Sequence, residues 1–276
     1  MFGLVIGFVC AIGSTACSAC CAVGAAATGV FTALSGGVAG LCSALSAIGA
    51  GIASAATTIG TVLATAGKAV CAAITTFIAQ FPNLDIKKII EITENTFAII
   101  QTVAAILGIG DGEDQEDLGE RALQHPEIKR ENFDSTQAYI EALKKAEFQK
   151  GVLPQGMTAE GHKWLCRTLG AGIQIRAISE KLNMATPMDF FLDCAKIGLT
   201  AKDVCDGEGN GVLERMSAAG VKDAGDLSVC LRGEIEHGDD DGHSTMQLVE
   251  RALGNGSTIQ TNMSLEDMKR EYEKGK

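Results

Sequence analysis

The first 67 residues contain no charged side chain, and they also lack histidine, asparagine, glutamine and proline. A structure that folds alone in water needs a polar outer face, and serine and threonine alone provide little of one. This absence excludes an independent, water-exposed domain at the N-terminus. Hydrocarbon or other protein must cover the stretch.

A shortage of basic residues and the lack of a secretory signal narrow the possible functions. Basic residues are outnumbered, with 23 lysines and arginines against 34 acidic residues and a net charge of −11. Nucleic acid is bound through cations that neutralise phosphates, so we expect no nucleic-acid partner. The N-terminus also lacks the basic residues and the short apolar core of a secretory signal, so we treat the apolar stretch as part of the mature protein.

Residues 2–34 and 38–66 are each longer than the roughly 20 mostly apolar residues that a transmembrane helix needs. Ser35-Gly36-Gly37 between them is typical of a turn. The pattern predicts a helical hairpin rich in glycine and alanine. Insertion of either helix alone would be only marginally favourable, so partner helices must contribute.

Small residues recur at intervals of four in both predicted helices, which places them on one helix face. Such a strip lets two backbones approach closely and pack in lipid, where the hydrophobic effect is absent. The pattern is typical of a glycine zipper. The predicted helix-packing residues are Gly3, Gly7, Ala11, Thr15, Ala19, Gly36, Gly40 and Ala44.

The composition of the apolar half disfavours two other interpretations. Disordered segments are normally polar or charged, and alanine and glycine are depleted in strands, which disfavours a low-complexity coil and a β-rich element. A helix that is apolar on all sides lies either in a membrane or inside an oligomer. Both environments remain open, and the membrane is the favoured one.

Lys68 ends the uncharged stretch, and residues 69–81 are predicted to form a shorter apolar helix before Pro82. A connector helix is predicted from Leu84 to Leu107, with Asn83 as its cap. It bridges a membrane surface and a soluble domain, or it is the central helix of that domain. Its apolar face is predicted at Ile86, Ile89, Ile90, Phe97, Ile100, Ala104 and Leu107.

The residues after Gly110 predict short, capped helices and no strands. Helix starts are predicted at Asp134-x-x-Gln137, Thr186-Pro187, Thr200-x-x-Asp203 and Ser264-x-x-Asp267. The fold class is therefore all-α, with a hairpin at 1–81, a connector at 82–110 and an acidic helical domain at 111–276. The predicted core is Phe133, Tyr139, Leu143, Phe148, Trp164, Leu165, Leu169, Ile173, Phe190, Phe191, Leu199 and Leu231.

Three motifs suggest a metal, and each has a simpler interpretation. Residues 206–217 resemble a calcium loop, but Ser217 stands where a bidentate glutamate belongs, and an acidic loop between helices is favoured. The run from His237 to His243 is more often a solvated loop. Cys17, Cys20 and Cys21 lack further ligands at zinc spacing, so cysteine is interpreted as a small apolar residue.

No catalytic constellation is present. The sequence has no P-loop, no G-x-S-x-G and no H-E-x-x-H. Gly170 to Gly172 lies inside a predicted helix, and His162 is interpreted as a partly buried helix residue. We expect no enzyme, no catalytic residue, no metal and no cofactor.

The expected function is that of a non-enzymatic, structural, membrane-active oligomer whose hairpin inserts into or lines a conduit across a bilayer. The missing basic flank, which normally sets orientation, suits a protein delivered ready-made, as phage ejection components, injection-apparatus parts and pore-forming toxins are. The expected partners are lipid, further copies of the chain and a larger assembly. The expected location is a membrane, reached by packaging in or delivery by a larger particle.

Two other hypotheses stay open. The chain is a soluble virion or filament subunit whose hairpins pack in the oligomer core, or a membrane-anchored module whose acidic loops respond to calcium.

Overall fold

A computed structural model describes residues 37–46, 48–53, 56–153, 158–234, 240–254 and 263–274, but not the side chains of residues 58 and 240–246. These residues form helices joined by short loops, and none of them lies in a strand. The predicted all-α class is confirmed. An isolated bridge joins Ala185 and Asp223.

The described chain divides into two compact units, each built from two separate stretches of sequence. Unit 1 contains residues 37–75 and 114–173, and unit 2 contains residues 76–113 and 174–274. Unit 1 therefore combines part of the uncharged stretch with part of the acidic half. The domain division predicted at residues 81 and 110 stays a prediction.

The helices of unit 1 begin with α1 (Gly37–Ala53), α2 (Ala56–Ile59) and the first three quarters of α3 (Thr61–Gln80). The acidic half adds α5 (Gln115–Gln124), α6 (Thr136–Lys145) and the first part of α7 (Ala159–Leu182). The predicted single helix over 38–66 is therefore wrong. Gly60 breaks it with a left-handed φ of +91°, a conformation that glycine adopts without strain.

Lys68 lies inside α3, so the predicted separate helix over 69–81 is also wrong. The Lys68 side chain is exposed, while Gly67 and Val70 beside it are buried. A charged residue continues an apolar helix when it falls on the outer face. The next four residues on this face are small or hydroxylated, and the face consists of Thr61, Thr65, Lys68, Ala69, Ala72, Thr76 and Ala79.

Unit 2 is built around α4 (Ile86–Ile106), which packs against α8 (Met188–Lys196) and α9 (Ala201–Val204). Unit 2 also contains the ends of α3 and α7. Its other helices are α10 (Val212–Ala218), α11 (Gly225–Arg232), α12 (Asp240–Gly254) and α13 (Leu265–Glu273). Nearly every residue of α8 is buried, which makes α4 and α8 the centre of this unit. Of the predicted core residues, Phe133, Phe148 and Trp164 are half-buried and the others are buried.

Local capping rules place several helix starts correctly. Thr200 with Asp203, and Ser264 with Asp267, form the reciprocal hydrogen bonds of a capping box. The predicted caps of α4 and α6 are each in error by one or two residues. Asp85, not Asn83, caps α4, and Ser135, not Asp134, caps α6.

Candidate membrane-active helices

Two described helices, α3 and α4, are long and apolar enough to cross a membrane by length and composition. Each is amphipathic in the folded chain, with about half of its residues buried. In unit 1, α3 buries Leu63, Ala64, Val70, Cys71 and Ile74. Its buried face is therefore apolar, and its outer face has the small and hydroxylated residues named above.

The start of α3 is held by the acidic half of the chain. The backbone N–H of Val62 donates to Glu131 Oε1 at 2.9 Å, and Lys129 Nζ donates to the Thr57 carbonyl at 3.2 Å. Burial acts to raise the pKa of Glu131, but the N–H groups of Val62 and Thr61 and the nearby Lys129 lower it overall. Glu131 thus provides the first turn of α3 with a carboxylate, which helix N-termini favour.

The end of α3 lies in an aromatic cluster of unit 2. The rings of Phe77 and Phe81 lie 4.9 Å apart, and the Phe81 and Tyr272 rings meet edge to face at 5.2 Å. Lys196 Nζ lies 4.4 Å from the centre of the Phe81 ring and donates to the Tyr272 carbonyl at 2.6 Å. This cluster attaches the end of α3 to α8 and to the C-terminal helix.

The predicted face of the connector helix is largely the buried face of α4. Ile89, Phe97, Ile100 and Ala104 are buried, whereas Ile86, Ile90 and Leu107 are half-buried. The other face is polar in the first half of α4 and small in the second half. That outer face consists of Lys87, Lys88, Glu91, Asn95, Ala98, Thr102 and Ala105.

Most of the predicted glycine-zipper residues lie outside the described residues, namely Gly3, Gly7, Ala11, Thr15, Ala19 and Gly36. The other two are in α1, where Gly40 is half-buried and Ala44 is 2% exposed. Ala44 therefore packs inside unit 1. The zipper itself stays a prediction.

The closest helix packing involves glycines that the spacing argument missed. A Cβ on Gly119 of α5 would overlap the Cys166 carbonyl oxygen of α7, and a Cβ on Gly170 of α7 would overlap the Gln115 carbonyl oxygen of α5. On Gly67 of α3 it would lie 2.8 Å from Leu169 Cδ2. A glycine inside a helix costs about 1 kcal/mol relative to alanine, so its presence was the available signal for close packing.

The loop at residues 206–211 uses its acidic side chains within the protein. Asp206 Oδ1 accepts from the backbone N–H of Glu208 at 2.8 Å and of Asn210 at 3.1 Å. Burial acts to raise the pKa of Asp206, but these hydrogen bonds hold it below its usual range. Gly211 has φ −65° and ψ 156° and caps α10, so it does not make the sharp turn of a calcium loop.

We expect this loop to be a structural turn that does not respond to calcium. Asp206→Ala is expected to lower the free energy of unfolding by about 1 kcal/mol, because it leaves backbone donors without their acceptor. About 1 mM Ca²⁺ is expected to leave the melting temperature unchanged. Glu208→Ala is the control, since that side chain is exposed. A wild-type melting temperature that rises with Ca²⁺, together with a smaller rise in both variants, would contradict the structural interpretation.

One pair of reactive side chains among the described residues is enclosed. Cys166 Sγ lies 3.5 Å from His162 Nε2 on the same helix, and both residues are buried. Burial lowers the pKa of His162 against the opposing effect of Glu120 and Glu116. The pair is closed to solvent, so His162 acts as a buried helix residue in this conformation.

The described part of the chain contains no group of three or more histidine, cysteine or acidic side chains placed to hold a metal ion. Its six cysteines are free, and all but Cys42 are buried. Cys17, Cys20, Cys21 and the residues from His237 to Asp239 lie outside the described residues, as do the side chains of residues 240–243. Comparisons with protein-family models, curated proteins and solved structures find no match to this chain.

Proposed function

We propose that this chain is a non-enzymatic, membrane-active structural protein whose apolar portion, residues 1–81, inserts into a bilayer or lines a conduit across it as an oligomer. One observation carries the proposal. The α3 helix is 20 residues long, and its Lys68 is the only charged residue before Asp85. At 1.5 Å per residue α3 spans about 30 Å, the thickness of the hydrocarbon core.

The charges favour α3 over α4 as the membrane-crossing helix. Each charged residue at the centre of an inserted helix costs about 2.5 to 3.5 kcal/mol. Helix α3 carries Lys68 alone, whose long side chain can reach toward the interface. Helix α4 carries Lys87, Lys88, Glu91 and Glu94 in its first half, so α4 is better suited to the core of unit 2.

Insertion would exchange one apolar environment for another. The Leu63, Val70 and Ile74 side chains of α3 are 1–2% exposed in the folded chain and would face lipid or a neighbouring helix after insertion. The backbone hydrogen bonds of α3 stay within the helix in either environment. The main cost is therefore the packing that α3 gives up in its two units.

The class of protein follows from how such a chain would reach a bilayer. A chain whose apolar helices are already covered by its own residues can travel in water and insert later. Phage ejection components, injection-apparatus parts and pore-forming toxins are delivered ready-made, and the proposal places the chain in that functional class. The partners would be a lipid bilayer, further copies of the chain and the larger particle that delivers it.

The test is flotation and dye release with the full-length protein and neutral phosphatidylcholine vesicles. Neutral lipid is chosen because the chain carries a net charge of −11 and anionic lipid would repel it. The protein is expected to float with the vesicles, to resist extraction at high pH and to release trapped dye. Protein that stays in solution while the dye is retained would contradict the proposal.

A soluble assembly subunit is the second candidate, and one observation favours it. The large apolar side chains of α1 and α3 are buried in the folded chain, while Ala39, Ser43, Ala50 and Ala72 are among the residues that face outward. Such faces need no lipid cover and allow close approach of another helix. A defined oligomer in plain buffer, with no affinity for vesicles, would favour this candidate.

A further inference from the structure

Unit 2 contains a buried carboxyl group that lacks a complete set of partners. Asp193 of α8 is 2% exposed, and its Oδ2 atom accepts no hydrogen bond. The hydroxyl of Ser228 on α11 is also buried, and it lies near the Asp193 carboxyl without making a hydrogen bond of ordinary geometry. A buried polar atom without a partner destabilises the folded state, so this carboxyl is a weak point in the packing of the unit.

The Asp193 carboxyl lines a small recess beside the end of α3. Phe77 and Gln80 of α3, Leu192 of α8 and Arg232 of α11 are among the other lining residues. About 10 Å³ is open to the centre of a water molecule there, which is room for roughly one water. A change in the charge of Asp193 therefore acts directly on the contact between α3 and α8.

The groups that face Asp193 provide both signs of charge. Asp189 and Lys196 approach from α8, Arg232 from α11, and Tyr272 from α13, while α3 contributes the uncharged Gln80. Arg232 is itself paired with Glu234 at 2.8 Å. Lys196 donates to the carbonyl oxygens of Tyr272 and Lys274 at 2.6 and 2.9 Å, so both cations have partners other than Asp193.

We propose that the Asp193 carboxyl is a proton-operated latch on the end of α3. When it is uncharged, α8 packs against Phe77 and the aromatic cluster, and when it is ionised this contact loosens. The latch rests on the proposed function, because α3 must leave unit 2 before it can enter a bilayer. The latch would make the release of α3 from unit 2 depend on pH.

The direction of the pH dependence follows from the burial of Asp193. Burial raises the pKa of Asp193 to about 7, against the lowering effect of Ser228, Arg232 and Lys196, and Asp189 acts to raise it. An exposed aspartate has a pKa of about 3.9. The latched state therefore binds the proton more tightly, so it is most stable below about pH 4 and loses stability as the pH rises to about 7.

The test is amide hydrogen exchange of residues 76–81 in the full-length protein, in buffer without vesicles. After correction for intrinsic exchange rates, the protection factors are expected to fall at least about tenfold between pH 5 and pH 8. Asp193→Asn imitates the uncharged form, and its protection factors are expected to lose most of this pH dependence, with the remainder coming from Asp189, which lines the same recess and whose pKa burial also raises. Asp226→Asn, which changes a partly buried acid of α11 that does not line the recess, is expected to behave like the wild type.

Two results would overturn the latch. They are protection factors in the wild type that do not depend on pH, and a pH dependence in Asp193→Asn as large as that of the wild type. Vesicle binding is measured separately at pH 5 and pH 8. A pH-dependent opening without vesicle binding would support the latch and contradict the membrane function. Vesicle binding without a pH-dependent opening would support the membrane function and contradict the latch.

Discussion

Gly119→Ala is expected to destabilise unit 1 by about 3 kcal/mol or more, at the upper end of the cost of overpacking. The added methyl group would lie 2.6 Å from the Cys166 carbonyl carbon and would overlap its oxygen. These are backbone atoms, so no side-chain rotation can relieve the overlap and α5 must move away from α7. Alanine favours a helix over glycine by about 1 kcal/mol, which does not offset such a clash.

The measurement is chemical denaturation followed by circular dichroism, with Gly254→Ala as the matched control. Gly254 is also in a helix, but a Cβ there would meet no atom within 4 Å. The control is expected to change the free energy of unfolding by no more than about 0.5 kcal/mol. Wild-type stability in Gly119→Ala would show that α5 and α7 do not pack as described.

Gly170→Ala is expected to reproduce this loss, because the same pair of helices meets there. Its Cβ would lie 2.7 Å from the Gln115 carbonyl carbon. Once one alanine has separated the helices, the second has less packing to disrupt. The double variant is therefore expected to lose less stability than the two single losses combined.

Ala72→Arg is expected to reduce vesicle binding about a hundredfold while leaving the fold intact. Ala72 is exposed near the middle of α3, so in water an arginine there changes the free energy of unfolding by about 0.5 kcal/mol or less. At the centre of an inserted helix the same arginine costs about 2.5 to 3.5 kcal/mol. The substitution therefore separates folding in water from insertion in lipid.

Ala218→Arg provides the control for this experiment. Ala218 is the exposed last residue of α10, outside the apolar portion, and arginine near a helix C-terminus is tolerated. This variant is expected to bind vesicles as the wild type does. Equal vesicle binding by Ala72→Arg and the wild type would exclude α3 as the inserted helix and would favour the soluble assembly subunit.

Predictions from short-range patterns differ in success according to how local the interaction is. The capping boxes at Thr200 and Ser264 were predictable because each involves a side chain and a backbone group three residues apart. The break at Gly60 was missed, because the side chain that packs against Gly60 is Glu131, some seventy positions further along the chain. The spacing of small residues in the apolar half predicts helix packing at Gly40 and Ala44, which stays a prediction, whereas the close contacts at Gly119 and Gly170 required the fold.

The sequence alone established the all-α class and led to the prediction that the first 67 residues need cover, because helix periodicity, capping and the absence of charge act over a few neighbouring residues. Only the three-dimensional structure showed which residues cover the described part of residues 37–67, because these contacts are long-range. Leu169 of the acidic half fills the space at Gly67, and Glu131 reaches the start of α3. Such contacts depend on how distant helices approach one another, and no local pattern encodes that distance.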